Sequence, residues 1–103
     1  MTLTLLTLPH CAACTRFKKS MAILRDTGTW PELDYDEIDV SKRQDLVDEY
    51  QIMTVPVTIF PDGSILRGSV NATILNKLLD EVSEHIVKKA MIDHMLQFTP
   101  TDE

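Results

Sequence analysis

Two cysteines separated by two alanines, Cys11-Ala12-Ala13-Cys14, are the residues of this 103-residue chain best suited to chemistry. A cysteine thiolate is both a nucleophile and a metal ligand, so the spacing predicts either dithiol–disulfide exchange or metal binding. A structural zinc ion needs four ligands. His10 could supply a third, but His85 and His94 lie far along the chain and the sequence has no other cysteine. The pattern therefore favours redox chemistry.

The two cysteines lie where a predicted strand meets a predicted helix. Thr and Leu alternate from Thr2 to Leu8, a period of two that is typical of a strand. From Cys11 to Thr27 apolar residues recur every three or four positions, which predicts an amphipathic helix. The free N–H groups and partial positive charge of a helix N-terminus lower the pKa of a thiol placed there. We therefore expect Cys11 to be an exposed nucleophile and Cys14, one turn later, to face the interior within reach of it.

The segment Thr54-Val55-Pro56 is a second candidate feature. A proline at the start of a strand that is predicted to lie in the middle of the sheet is unexpected, because proline removes a hydrogen-bond donor from the strand pairing. A cis peptide bond would account for it and would leave the Val55 backbone free to pair with an extended substrate segment. A trans proline at the start of the strand is the alternative that these residues leave open.

The rest of the pattern predicts one α/β domain: a four-stranded mixed sheet with helices on both faces, plus an extra C-terminal helix. After the first helix we predict a strand over Leu33–Val40, whose acidic residues suit a sheet edge, and then a helix that begins with a capping box of Ser41 and Gln44. A hairpin follows, in which Val55–Phe60 pairs with Ile65–Arg67. The last predicted helix is capped by Ser69 or Asn71. Residues 1–82 form the main fold and 83–103 an extension of the same domain. Residues 83–98 either continue the last helix or follow a bend near Ser83-Glu84. Their apolar side either folds back over the sheet, which we expect, or pairs with another chain, and residues 100–103 form a frayed tail.

Charge and composition exclude several functional classes. The net charge of −6 disfavours nucleic acid as a partner, because binding phosphates needs surplus Lys and Arg. The apolar N-terminal segment has no basic residue before it, and no segment approaches the length of a membrane span. We therefore expect a cytoplasmic monomer, in a compartment where thiols are kept reduced.

Taken together, these motifs resemble the thioredoxin/glutaredoxin superfamily over about residues 2–82: a Cys-x-x-Cys pair at a helix start, then Thr54-Val55-Pro56, a hairpin with Asp62-Gly63, and Gly68 before the last helix. The short layout is similar to glutaredoxins and to the glutaredoxin-like hydrogen donors of ribonucleotide reductase. The resemblance implies that Cys11 is the catalytic nucleophile, Cys14 the resolving thiol, and Pro56 a cis proline facing them. Thr54, Val55 and Pro56 would contact the substrate.

The resemblance also implies the activity: reduction of protein disulfides, with ribonucleotide reductase as a family-suggested acceptor. Electrons would come from glutathione or a thioredoxin reductase, with no bound cofactor and no metal.

The single Gly68, where glutathione-binding glutaredoxins usually have two glycines, favours thioredoxin-like substrates, and the Ala12-Ala13 pair is found in neither family's usual motif. His10 is a supporting candidate, since an imidazolium would favour the Cys11 thiolate, although an exposed, neutral loop histidine is the simpler interpretation. A metal- or iron–sulfur-binding protein using the same cysteines is the alternative function.

Overall fold

Four strands and three α-helices follow one another in the order that the sequence pattern predicts. The computed structural model describes the backbone of residues 1–97 and the side chains of residues 1–95, so the predicted tail at 100–103 lies outside the described residues. The elements are β1 (Thr2–Thr7), α1 (Ala12–Asp26), β2 (Asp34–Asp39), a 3-10 turn (Val40–Lys42), α2 (Gln44–Glu49), β3 (Val57–Ile59), β4 (Ile65–Arg67) and α3 (Ala72–Gln97).

The strands form one mixed sheet in the order β2-β1-β3-β4. β1 and β2 are parallel, with Leu5 opposite Glu37, and α1 is the crossover between them. β1 pairs antiparallel with β3, and β3 with β4, which form the predicted hairpin. The acidic strand β2 lies at the edge of the sheet, as predicted. Charge at that position discourages pairing with another chain.

Helices cover both faces of the sheet, which confirms the predicted architecture. The period of two along β1 directs Leu3 and Leu5 to the face that packs against α1 and α3. Leu6 points to the opposite face and packs with Val57 and with side chains of α2. The larger of these two clusters is completed by Phe17, Met21, Leu24, Leu33, Phe60, Leu75, Leu79 and Val82. These contacts fix α1, and with it the cysteines, against the sheet.

The predicted capping box of α2 is wrong. Ser41 lies in the 3-10 turn, and α2 begins at Gln44 after Arg43, which makes no side-chain cap. The Asp39 carboxylate accepts a hydrogen bond from the Ser41 N–H at 2.9 Å. Because an aspartate at the end of β2 already caps the chain there, the first turn forms earlier and tighter than the Ser41–Gln44 spacing suggests.

Helix α3 is a single helix of 26 residues. The Asn71 side chain caps it by accepting a hydrogen bond from the Ile74 N–H at 2.9 Å. Neither Gly nor Pro interrupts the helix, so it continues past Val82, the last buried residue among those described. The expected folding of residues 83–98 over the sheet is therefore wrong: Val87 and Met91 are exposed.

The C-terminal half of α3 extends the molecule to 61 Å along its longest axis. In this half, His85 Nδ1 forms a hydrogen bond of 3.0 Å with Asp62 Oδ2, in the turn between β3 and β4. Within residues 1–97, no helix has the length and apolar character needed to cross a membrane.

Candidate active site

Cys11 and Cys14 lie together at the N-terminus of α1. Cys11 is the N-cap residue, with extended backbone angles, and Cys14 is in the first turn. The two sulfurs are joined in a disulfide, with the Cα atoms 5.2 Å apart. The Cys14 backbone N–H donates a hydrogen bond to Cys11 Sγ at 3.0 Å. Cys11 Sγ therefore receives one of the N–H groups that a helix start leaves without an intrahelical partner.

The two sulfurs differ in their access to solvent. The Cys14 side chain is buried, with 3% of its surface exposed, whereas Cys11 is partly exposed. Phe17, one turn further along α1, is fully buried in the main core and fixes the side of the helix that Cys14 faces. A large disulfide substrate can thus approach Cys11 but not Cys14.

The loop before β3 brings the second motif to the disulfide. The Val55 carbonyl oxygen lies 4.0 Å from Cys11 Sγ, and the Val55–Pro56 peptide bond is cis. A sulfur in a disulfide has no proton, so this is a van der Waals contact; the reduced thiol could donate to the same oxygen. Pro56 is buried, whereas Thr54, two residues earlier, is exposed and makes no side-chain hydrogen bond among the described residues.

Gly68, the residue that follows β4, supports this loop. Its N–H donates to the Pro56 carbonyl oxygen at 2.8 Å, and its φ of 93° lies in the left-handed region. Added Cβ atoms would meet no neighbour at this position, so the backbone angle alone favours glycine. Gly68 is thus placed next to Pro56.

No side-chain contact joins His10 to the other predicted site residues among the described residues. Its side chain is exposed and makes no hydrogen bond or ion pair among the described residues. Its φ of 59° is in the left-handed region, where a non-glycine residue is uncommon. The structural role of His10 is therefore in the turn that leads the chain from β1 into α1.

An ion pair one helical turn beyond Cys14 was not predicted. The Glu37 carboxylate accepts hydrogen bonds from Lys18 Nζ at 2.8 Å and from Thr7 Oγ1 at 2.8 Å. The Lys18 hydrogen bond holds the pKa of Glu37 below its ordinary value, and the Thr7 hydrogen bond acts in the same direction. Helical spacing alone predicts a solvated Lys18. The ion pair could not be predicted, because the sequence pattern does not show which residue of β2 lies next to which residue of α1.

An apolar groove opens beside the loop that precedes Pro56. It has a volume of about 430 Å³ and includes Val55, whose carbonyl oxygen contacts Cys11 Sγ. The other lining residues are Leu8, Val40, Val47, Ile52, Met53 and Thr54. The alternation in β1 signals Leu8, but the exposed Met53 has no signal in the sequence pattern.

Within the side chains that the structure describes, no group of three or more His, Cys, Asp or Glu residues is placed to hold a metal ion. The arrangement of the two cysteines suits sulfur chemistry instead. One sulfur is accessible and is paired with a helix N-terminal N–H, and the second lies within bonding distance behind it.

Comparison with known proteins identifies the fold. No protein-family model and no curated protein matches the sequence. Among solved structures, a chloroplastic thioredoxin z superposes with a TM-score of 0.64 at 12% identity, covering 81% of this chain and 78% of that one. The structural-genomics target XcR50 from X. campestris gives 0.62 at 24% identity, covering 77% and 96%. The glutaredoxin-like protein NrdH-redoxin from Escherichia coli gives 0.57 at 21% identity, covering 76% and 95%.

These likenesses confirm the predicted fold. The chain has a thioredoxin-like fold and carries a Cys-x-x-Cys pair at the N-terminus of its first helix.

Proposed function

We propose that this thioredoxin-like chain is a thiol–disulfide oxidoreductase that reduces protein disulfides through Cys11 and Cys14. The observation that carries the proposal is the asymmetry of the two sulfurs. Cys11 Sγ is accessible and receives the Cys14 N–H at 3.0 Å, while Cys14 is buried directly behind it. A nucleophile that meets the substrate and a second thiol that releases it need this arrangement.

In the first step the Cys11 thiolate attacks one sulfur of the substrate disulfide. A bond forms between Cys11 Sγ and that sulfur, the substrate S–S bond breaks, and the departing thiolate takes a proton from solvent. Cys14 then loses its proton and attacks Cys11 Sγ, which forms the Cys11–Cys14 disulfide and releases the second substrate thiol. Two electrons pass from the dithiol to the substrate, so no bound cofactor is needed.

The helix N-terminus should favour the thiolate of reduced Cys11. The Cys14 N–H is already directed at Cys11 Sγ, and a negative sulfur would strengthen that hydrogen bond. The partial positive charge of α1 acts in the same direction. We expect the pKa of Cys11 in the reduced protein to lie below the ordinary cysteine value of about 8.5.

The assignment of roles is tested with single substitutions. Cys11→Ser should abolish insulin reduction, because no nucleophile meets the substrate. Cys14→Ser should form the mixed disulfide but not resolve it, so that mass spectrometry detects a covalent adduct of protein and substrate. A Cys11→Ser protein that still reduces insulin at the wild-type rate would contradict the proposal.

The electron source is a further part of the proposal. The oxidised protein must be reduced between turnovers, by glutathione or by a thioredoxin reductase. Consumption of NADPH in a thioredoxin reductase system should be compared with consumption in a glutathione reductase system containing glutathione. Since such a cycle needs a reducing compartment, we place the protein in the cytoplasm, with protein disulfides, ribonucleotide reductase among them, as acceptors.

A further inference from the structure

A serine lies on the buried face of α1. Ser20 is 8% exposed and shares this face with Phe17, Met21 and Leu24, which pack in the larger core cluster. Alanine would fill the same position without a polar group, and it has the higher helix propensity. The hydroxyl group is therefore the feature of Ser20 that needs an explanation.

The Ser20 hydroxyl bonds to a segment outside its own helix. Ser20 Oγ lies 2.8 Å from the Val70 carbonyl oxygen and 3.3 Å from the carbonyl oxygen of Arg16, four residues earlier in α1. A serine inside a helix often donates to that earlier carbonyl group. Because a hydroxyl has one proton, the shorter distance assigns its hydrogen bond to Val70. Among the described residues, no other side chain donates to the Val70 carbonyl oxygen.

Val70 belongs to a short segment that also contacts the cis proline. Residues 68–70 connect β4 to Asn71, the cap of α3. At the first residue of this segment, the Gly68 N–H donates to the Pro56 carbonyl oxygen at 2.8 Å. At its last residue, the Val70 carbonyl oxygen accepts from α1. The segment is thus held by the cis-proline loop at one end and by α1 at the other.

These contacts form a closed path that starts and ends on α1. The path leads from Ser20 to Val70 and back along the chain to Gly68. It then crosses to the Val55–Pro56 dipeptide, whose first carbonyl oxygen lies 4.0 Å from Cys11 Sγ. Cys11 is the N-cap of the helix that carries Ser20. The position of the dipeptide relative to the sulfur therefore depends on the Ser20 hydrogen bond.

Loss of the Ser20 hydroxyl would open this path at one link. The Val70 carbonyl group is partly buried, and a buried acceptor that loses its donor destabilises the position that it occupies. Movement of Val70 towards solvent would satisfy the carbonyl group again. It would also pull Gly68, and with it the Val55–Pro56 dipeptide, away from Cys11. α1 itself would keep its conformation, since alanine is a strong helix former.

We propose that Ser20 is a positioning residue for the binding of protein disulfides. Its hydroxyl holds the Val55–Pro56 dipeptide at the distance from Cys11 at which an extended substrate chain can contact both. Ser20 touches neither the substrate nor the sulfurs, so its effect is on substrate binding and not on the reactivity of the thiolate. This inference rests on the proposed function and adds a residue to the same site.

The test separates substrate binding from thiolate reactivity. For Ser20→Ala we expect a KM for insulin about three to ten times that of the wild type, with kcat within about a factor of two, because the binding surface is displaced and the nucleophile is not. The rate constant for alkylation of reduced Cys11 by iodoacetamide should be unchanged, because it depends on the start of α1. The Gly68 amide should exchange its hydrogen faster in Ser20→Ala, since the segment that carries it is released.

Asn71→Ala is the matched control. Asn71 directly follows Val70, and its side chain bonds to the Ile74 N–H without contacting the path. This variant also loses one side-chain hydrogen bond to the backbone of the same region, so it reproduces a general loss of stability. Its KM for insulin should remain at the wild-type value. Urea unfolding of both variants checks that they are folded under the assay conditions.

The outcomes separate this inference from the proposed function. A Ser20→Ala protein with the wild-type KM would contradict the inference while leaving the reductase activity established. An equal rise of KM in Asn71→Ala would assign the effect to stability, and slower alkylation in Ser20→Ala would assign it to the thiolate; either result overturns the positioning role. A wild-type protein that does not reduce insulin would contradict the proposed function itself.

Discussion

Glu37 is the residue at which three elements meet: it lies on β2, binds Thr7 at the end of β1, and pairs with Lys18 on α1. Because the Lys18 hydrogen bond lowers its pKa from 4.5, the folded state favours the ionised carboxyl more than the unfolded state does. The resulting stability is fully present above the unfolded pKa and is lost as the pH falls through the lower folded pKa.

We therefore expect Glu37→Gln to be less stable than the wild type near neutral pH, by at most about 1 kcal/mol because the pair is partly exposed. The difference should shrink as the pH falls below the ordinary carboxyl value of 4.5. Urea unfolding of the oxidised proteins at several pH values measures it. Glu49→Gln is a control, since Glu49 is exposed and has no ion-pair partner among the described residues. A difference that does not change with pH would contradict the ionic role of Glu37.

At the level of elements, helix starts carry both chemistry and stability. α1 begins with the Cys11 sulfur as its cap, and α3 begins with the Asn71 carboxamide oxygen, which accepts from the Ile74 N–H. A polar cap stabilises the helix by satisfying one of the free N–H groups. In α1 the same free N–H groups are available to a thiolate.

Replacing the α3 cap should cost stability without changing the chemistry. We expect Asn71→Ala to lower the free energy of unfolding by about 1 kcal/mol and Asn71→Ser to restore most of it, as measured by urea unfolding. The rate of peptide disulfide reduction should remain at the wild-type value in both variants. An Asn71→Ala protein of wild-type stability would show that the hydrogen bond to Ile74 contributes nothing.

The elements also show which parts of the fold the sequence can predict. α1 was predictable because one face of it is buried, which leaves a helical period in the sequence that includes Phe17 and Met21. β1 was predictable because Leu3 and Leu5 alternate with threonines along the chain. The start of α2 was not predictable, because both Asp39 and Ser41 can act as a helix cap and the sequence does not show which of them does. Of the site, the two cysteines at a helix start were predictable from a local motif, whereas the cis Val55–Pro56 bond and Gly68 followed only from the resemblance to a family. The hydrogen bonds from Arg67 of β4 to the Tyr50 and Gln51 carbonyl oxygens were not predictable, because backbone carbonyl groups leave no side-chain signal in the sequence.

At the scale of the whole molecule, stability should be unevenly distributed along α3. One face of its first half is buried, up to Val82, whereas the second half is exposed and is linked to the domain by the His85–Asp62 hydrogen bond. Folding back was a reasonable expectation from the apolar residues alone, but the uninterrupted helix extends past the sheet that they would have covered.

We expect amide hydrogen exchange to divide α3 near Val82. Amides before this residue should exchange slowly, in global unfolding events, and those from about residue 86 onward should exchange faster through local opening. His85→Ala should accelerate exchange in the second half while leaving the first half unchanged. Uniform protection along the whole helix, at the concentration used, would contradict this division.

The hydrogen bond from the Cys14 N–H to Cys11 Sγ has a consequence for the redox cycle. The same N–H can serve the sulfur when it is bonded to Cys14 and when it carries a negative charge, so in the proposed reaction α1 should keep the same cap before and after electron transfer. We therefore expect reduction to move the sulfur atoms and protons and to leave the backbone in place, with a small reorganisation energy for each turnover. Backbone amide chemical shifts should accordingly differ between the oxidised and reduced proteins around residues 10–15 and 54–56, and coincide elsewhere.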